Sequence, residues 1–281
     1  MVIKRFFFIF FVSVALFSCG NRSNKEETKK NRFHIVSLVP SLTKELVALG
    51  LTKNIVGATS YCNIAKDNKK LIVGSAMNVN MEKVLLLKPD VVFAGGLTSK
   101  SYIKTLMNEG IKVYVFKNPS SYRQMCDDLI LIGRITGREE KAKEIVKHAL
   151  YRIDSIRKTV PALTSKLKFF FQIGADPLYS VIPGTFMNDY ILFAGCENIA
   201  FDMKEGSISR EAVLTRNPDV IFISTMGIIG DKEKEIWNSY PELNATINKK
   251  IFIIDSDIAC SATVNSFVNA FEYIKNKIYG K

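Results

Sequence analysis

The sequence has no loop built to cradle phosphate. Gly95-Gly96 and Gly133 lack the G-x-G-x-x-G spacing, and no G-x-x-x-x-G-K-[ST] occurs in the 281 residues, so neither common nucleotide-binding device is present. Histidine is scarce: there are two, His34 at the opening of an extended run and His148 inside a helical stretch. Neither falls at the carboxyl end of a strand, where an α/β sheet keeps its chemistry, which argues against a Ser-His-Asp hydrolase. The five cysteines are widely spaced with no C-x-x-C pair, which removes the usual zinc and dithiol motifs. Lone buried thiols are the default expectation, and one bridge, Cys196 with Cys260, is the alternative because both lie in the second half of the chain. There is a single tryptophan, Trp237, in a helical stretch before Pro241, where a core position is expected. The net charge is +12, but the lysines are scattered rather than gathered on one helix or loop. Nothing in that pattern points to nucleic acid, and the basicity reads as a solvated surface.

What is present begins with a leader. Lys4 and Arg5 precede an apolar run from Phe6 to Phe17, broken only by Ser13, and the run ends in Leu16-Phe-Ser-Cys19-Gly20. Such a run is short for a membrane span, and a small residue before Cys19 is the layout of a lipoprotein signal. A plain signal peptide and an anchor helix are the alternatives. Cleavage before Cys19 divides the leader, 1–18, from a polar, lysine-rich tether, 19–32, held to a membrane by acyl chains on Cys19. The product is exported, facing the periplasm or the cell exterior.

The rest of the chain carries one unit twice. Asn80-Met-Glu82-Lys-Val-Leu-Leu-Leu-Lys-Pro89-Asp-Val-Val-Phe-Ala94 and Ser209-Arg-Glu211-Ala-Val-Leu-Thr-Arg-Asn-Pro218-Asp-Val-Ile-Phe-Ile223 each open a short helix with a glutamate, stop it at Pro-Asp and run into a buried strand. Glu82 and Glu211 stand where the helix macrodipole favours a carboxylate, so they read either as helix caps or as paired acidic points on two similar lobes. In either role they are too far apart to serve as the acid and base of a glycosidase.

Strand-like runs at 33–39, 54–58, 91–94 and 111–116 alternate with helical patterns, and a second series follows at 167–173, 219–224 and 250–255. This predicts an α/β fold of two Rossmann-like lobes with parallel sheets. The stretch from Arg138 to Lys158 contains neither Gly nor Pro and repeats apolar residues at Ala142, Ile145, Val146, Ala149, Leu150, Ile153 and Ile156, which predicts a single long helix joining the lobes. The expected division is an N-terminal lobe at 33–137, a connecting helix at 138–160 and a C-terminal lobe at 161–281.

Taken together, Ile35-Val-Ser-Leu-Val-Pro-Ser-Leu-Thr-Lys-Glu-Leu-Val-Ala-Leu-Gly50, Val56-Gly-Ala-Thr-Ser-Tyr-Cys62, Leu87-Lys-Pro-Asp-Val-Val92, Gly174-Ala-Asp-Pro-Leu-Tyr179, Cys196-Glu-Asn-Ile199 and Ser209-Arg-Glu-Ala-Val-Leu214 resemble the class III substrate-binding proteins of ABC importers, the helical-backbone metal-chelate receptors. The likeness spans nearly all of residues 32–281 and is closest to the cobalamin-type branch. It implies a binding protein rather than an enzyme, with no resident cofactor. Its transported ligand would be cobalamin or an iron chelate, a ferric siderophore or haem, with a corrinoid narrowly first. It also implies that Glu82 and Glu211 dock onto arginine pockets of a permease dimer driven by its ATPase, and that Tyr61 and Tyr179 face the ligand in the cleft. Positions where some cobalamin-binding relatives carry tryptophan hold Ala76, Gly95 and approximately Glu205 here. The late loop Asp257-Ile-Ala-Cys-Ser-Ala-Thr-Val264 lacks the arginine that siderophore binders can place there, and Tyr61 is the one plausible iron ligand. A surface lipoprotein that scavenges ligand without a permease is the alternative, and a hydrolase on an α/β fold the more remote one.

Overall fold

The computed structural model describes residues 33–75, 77–225 and 230–280. The leader, Cys19, the tether and Ala76 lie outside the described residues. Residues 33–281 form one compact unit containing two sheets. The first is built from β1 (Ile35–Ser37), α1 (Pro40–Ala48), β2 (Ile55–Ala58), α2 (Asn63–Asp67), α3 (Met81–Leu86), β3 (Val91–Gly95), α4 (Lys100–Asn108) and β4 (Lys112–Phe116). All its strands are parallel, in the order β2-β1-β3-β4. β3 is buried along its whole length, as its unbroken apolar run predicts for a strand covered on both faces.

The chain then crosses to the second sheet once, through α5 (Tyr122–Ile135) and α6 (Glu139–Arg157). Ala142, Val146, Ala149 and Ile153 form the buried stripe of α6. Leu150, expected in that stripe, is instead exposed. The packing of α6 against α5 depends on Gly133, where an added Cβ would stand 2.7 Å from the Cβ of Ala142. At about 1.5 Å per residue α6 is roughly 28 Å long.

The second half follows as β5 (Lys168–Ala175), β6 (Leu178–Ser180), α7 (Asn188–Phe193), β7 (Glu197–Asn198), α8 (Arg210–Arg216), β8 (Val220–Ser224), α9 (Gly230–Asn238), α10 (Asn244–Ile247), β9 (Ile251–Ile254), α11 (Ser256–Ala259) and α12 (Val264–Tyr279). Its strand order is β6-β5-β8-β9, with β7 also on β5. β5, β7, β8 and β9 are parallel, as expected of these lobes, and β6 runs antiparallel to β5 at the edge. The segment 174–179 folds back as a hairpin, and the three residues of β6 are too few to show a strand period in the sequence.

Each sheet has its own outer apolar layer, around Val84, Val92 and Leu106 in the first and Phe170, Ile221 and Trp237 in the second. Between the sheets lies one continuous core. It runs from Leu46 and Phe93 through Leu129 and Val146 to Phe171, Phe222 and Phe271. Tyr122 of α5 stacks on Phe267 of α12 at 4.3 Å between centroids, and Phe267 stacks on Tyr190 of α7 at 4.3 Å. Each fully buried aromatic of this kind contributes about 1.5–3 kcal/mol of burial. Arg152 of α6 adds an ion pair to Glu272 at 2.8 Å.

Cys62, Cys126, Cys196 and Cys260 are free thiols, as the default expectation had it, and the alternative Cys196–Cys260 bridge is not formed. Cys196 sits behind α7 beside the Tyr279 hydroxyl at 3.6 Å, whereas Cys260 follows α11 and faces Ser224 Oγ at 3.2 Å. Their separate partners place the two sulfurs in different parts of the half. Burial pushes the Cys196 thiol up to about 11.

Candidate functional site

The repeated unit has one backbone in both halves. The chain leaves α3 through Lys88 and α8 through Asn217, both left-handed, with φ of 44° and 45°. Pro89 and Pro218 then prevent the helix from continuing. Asp90 Oδ2 accepts the His34 N–H at 2.6 Å, and Asp219 Oδ2 accepts the Lys168 N–H at 2.8 Å. In each half, therefore, the Pro-Asp carboxylate ties the unit to the first strand of its sheet. A helix followed at once by a buried strand must run antiparallel to it, so α3 and α8 both begin at the carboxyl ends of their strands.

Glu82 and Glu211 occupy the second position of these helices, and both are exposed. They are not the caps. Asn80 Oδ1 accepts the Lys83 N–H at 2.9 Å, and Ser209 Oγ accepts the Ala212 N–H at 3.2 Å. With capping done by the preceding polar residue, each glutamate is free to face solvent in the positive field of its helix start. The Glu211 carboxyl is held below its usual range by its own backbone N–H and then by the Ser209 hydroxyl.

A tyrosine stands beside the segment leading into each helix. Tyr61 follows β2, where the Ser60 N–H donates to the Gly74 carbonyl at 2.9 Å, and 66% of it is exposed. Tyr179 lies in β6, bridged on one side to Gly174 of β5 and on the other to Ser207. It is 41% exposed. Its ring lies over Gly206, where an added Cβ would come within 2.7 Å of Cδ1, so only glycine leaves the ring that seat. Each tyrosine is thus a partly free aromatic at a strand's carboxyl end, next to the segment that leads to a glutamate.

A crevice beside the carboxyl ends of β1, β3 and β4 is lined by Val39, Gly95, Phe116, Lys117, Pro119 and, from the second half, Ala262. It measures 60 Å³, far below the roughly 300–1,000 Å³ of a ligand pocket, so it is a floor on which a larger molecule could rest. Two carboxyls line it that sequence reading missed. Glu45 is 4% exposed, and its Oε1 accepts the Val264 N–H at the start of α12, at 2.7 Å. Burial raises its pKa to about 7, against the lowering effect of that hydrogen bond. Asp128 is raised to about 6, by burial first and then by Asp127. The available signal was Glu45 itself, a charge set among Leu42, Leu46 and Leu49 on the buried side of α1. Beside it, Lys44 Nζ donates to Ser261 Oγ at 2.9 Å, a second tie between the halves.

A hollow of 270 Å³ lies at the opposite, amino ends of β5 and β7, lined by Lys168, Glu197, Ile199, Phe201, Asp202 and Arg216. Two of its charged groups are spent on each other, since Arg216 grips Asp202 through two hydrogen bonds, at 2.7 and 3.2 Å, and Lys168 Nζ donates to the Arg216 carbonyl. The larger volume is therefore the less suited to a ligand. His34 and His148 lie away from the strand carboxyl ends, at the start of the first sheet and on α6. Gly95 lies against Val39 in the crevice wall, and Glu205 is an exposed loop residue. Among the described residues no group of three or more His, Cys, Asp or Glu is placed to hold a metal ion, and no helix is long and apolar enough to cross a membrane.

Known proteins share this architecture. A Bacillus subtilis (strain 168) protein described as an uncharacterized ABC transporter substrate-binding lipoprotein, YvrC, is 32% identical over 244 residues, covering 84% of this chain and 77% of its own. A vitamin B12-binding protein of Yersinia pestis (strain Pestoides F) is 28% identical over 208 residues, covering 72% and 73%. The crystal structure of a possible iron-binding (periplasmic solute-binding) protein from Staphylococcus epidermidis ATCC 12228 superposes with a TM-score of 0.76 at 29% identity, covering 88% of this chain and 98% of that one. The family described as "Periplasmic binding protein" matches residues 35–258, and with two α/β lobes joined through one helical crossing the chain belongs to that family of solute-binding proteins rather than to an enzyme family.

Proposed function

We propose that this protein captures a metal chelate between its two halves and delivers it to an ABC importer. The observation that carries the reading is the duplicated corner: in each half an exposed carboxylate at a helix start stands beside a partly exposed tyrosine at a strand's carboxyl end. In this reading the lobes are 33–137 and 161–281, the connector is 138–160, and the leader 1–18 is removed so that Cys19 carries the lipid of tether 19–32. The protein then works outside the cytoplasm, held to a membrane.

Tyr61 and Tyr179 would hold the chelate by their ring faces, which suit a flat ligand. A corrinoid comes first, since a relative 28% identical is described as binding vitamin B12. Haem or a ferric siderophore is the other possibility within this class, and for haem the Tyr61 phenolate would serve as axial ligand. The chelate is cargo, and no resident cofactor is proposed. Glu82 and Glu211 would each accept a bidentate, charge-assisted pair from an arginine of the permease dimer, whose ATPase drives uptake. The continuous core between the sheets supports a fixed separation of the two carboxylates.

Isothermal titration of the mature chain with cyanocobalamin, haemin and ferric siderophores tests the cleft. Tyr61→Ala should weaken binding of the true ligand by about 1–3 kcal/mol, the scale of a buried aromatic contact. With haemin and an axial phenolate, the same change should also shift the Soret band. Equal affinities of wild type and Tyr61→Ala for every ligand bound would remove the cleft assignment.

A further inference from the structure

We propose that Arg210 is a positioning residue that ties the segment joining the cleft tyrosine Tyr179 to the docking carboxylate Glu211 onto the buried cluster of Gln172, Glu233 and Trp237. The inference rests on the roles given to those two residues above.

Arg210 is the first residue of α8, immediately before Glu211. Its Nη2 donates to both oxygens of Glu233 on α9, at 3.0 and 2.7 Å, and its guanidinium lies over the ring of Trp237 at 4.8 Å. Glu233 Oε2 also accepts from Gln172 Nε2 at 2.8 Å, and Gln172 Oε1 accepts from Trp237 Nε1 at 2.7 Å. Gln172, Glu233 and Trp237 are all buried. This set of polar groups sits inside an otherwise apolar layer, where an unpaired member is costly, and Arg210 Nη1 is buried there without a hydrogen-bond partner among the described residues. The register of β5 against α8 and α9 is therefore narrowly defined.

The same strand holds the tyrosine. Gln172 pairs in register with Ser180, the neighbour of Tyr179 on β6. On its other side β6 is bonded to the segment that becomes α8: the Ser180 N–H donates to Gly206 at 2.7 Å, and the Ile208 N–H donates to Leu178 at 3.0 Å. A displacement of Tyr179 reaches Ser207 directly and the start of α8 three residues later. Arg210 is the side chain that passes this displacement on to α9, or resists it. The first half has no counterpart, since Met81 fills the matching place and packs into the apolar layer.

Trp237 is the only tryptophan in the chain, so its indole N–H is a single reporter of the cluster. In the ¹⁵N-labelled mature protein without ligand, Tyr179→Ala should move both the Glu211 amide resonance and the Trp237 indole resonance. With Arg210→Leu or Glu233→Gln in place, Tyr179→Ala should still move the Glu211 amide, because the two are near in the chain, while the indole no longer follows. The double exchange Arg210→Glu with Glu233→Arg should restore the response. Titration of wild type with cyanocobalamin or gallium protoporphyrin should move the indole, and Arg210→Leu should weaken binding of that probe by about three- to tenfold. An indole unmoved by Tyr179→Ala in the wild-type background, or moved equally in Arg210→Leu and Glu233→Gln, overturns the proposal. If neither probe binds wild type, the chelate reading fails for both, while the ligand-free comparison still decides the role of Arg210.

Discussion

The two halves carry the same corner on different sheets. β1, β3, β4 and α3 correspond in order to β5, β8, β9 and α8, with the same left-handed exit from the helix and the same aspartate anchor. Beside the first strand they part: β2 is a parallel strand reached through α1, whereas β6 is one arm of an antiparallel hairpin. They part again at the start of the helix, where Met81 packs against apolar side chains and Arg210 joins a buried polar set through Glu233. What is held constant is the placement of a tyrosine and a carboxylate. The scaffolding that delivers them is free to vary, because several local structures end at the same point in space.

The largest effect that would break this equivalence is expected at the two carboxylates proposed to dock, Glu82 and Glu211. Glu82→Arg with Glu211→Arg should leave ligand affinity unchanged and abolish permease association and uptake, since reversing each partner of a charged pair costs about 2–5 kcal/mol. Measured singly in an uptake assay, the two reversals should cost comparable amounts. Full loss from one and none from the other would show that the halves are not equivalent.

A contrast of intermediate size lies at Glu45, a tie from the first half to the second for which the repeated unit has no copy. A carboxyl raised from its ordinary value to about 7 by burial binds its proton more tightly in the folded state. Its contribution to stability is therefore complete below the unfolded pKa and is lost as pH rises through 7. Thermal or urea unfolding across pH 5 to 8 should show stability falling by an amount on the order of 1–3 kcal/mol. Glu45→Gln should flatten that dependence while keeping an acceptor for the Val264 N–H. Asp128, raised to about 6, acts in the same direction at slightly lower pH. An unchanged slope in Glu45→Gln would assign the dependence elsewhere.

The smallest contrast concerns the left-handed exits. Lys88→Gly should stabilise by up to about 1 kcal/mol, because glycine takes positive φ without steric cost. Asn217→Gly should not, although the backbone angle is the same: Asn217 Oδ1 accepts the Asn244 N–H at 2.9 Å, and asparagine already tolerates the region. Equal shifts in chemical denaturation midpoint would mean that the Asn244 contact contributes nothing.

The sequence alone determined the α/β class, the repeated unit, its proline stops, and the connecting helix between the sheets. These follow from local rules: proline forbids helix, unbroken apolar runs demand cover on both faces, and a helical period survives in a long uninterrupted stretch. It also determined that Glu82 and Glu211 stand alike. Only the tertiary structure decided that Asn80 and Ser209 do the capping, which leaves the glutamates free. The same holds for the antiparallel β6, since three residues carry no period, and for the unpaired thiols Cys196 and Cys260, since pairing depends on where distant segments meet. Glu45 on Val264 and Arg210 on Glu233 are contacts across 219 and 23 residues. Sequence spacing encodes which face of an element is apolar, but not which distant element will cover it, and in this protein the site is made where those faces meet.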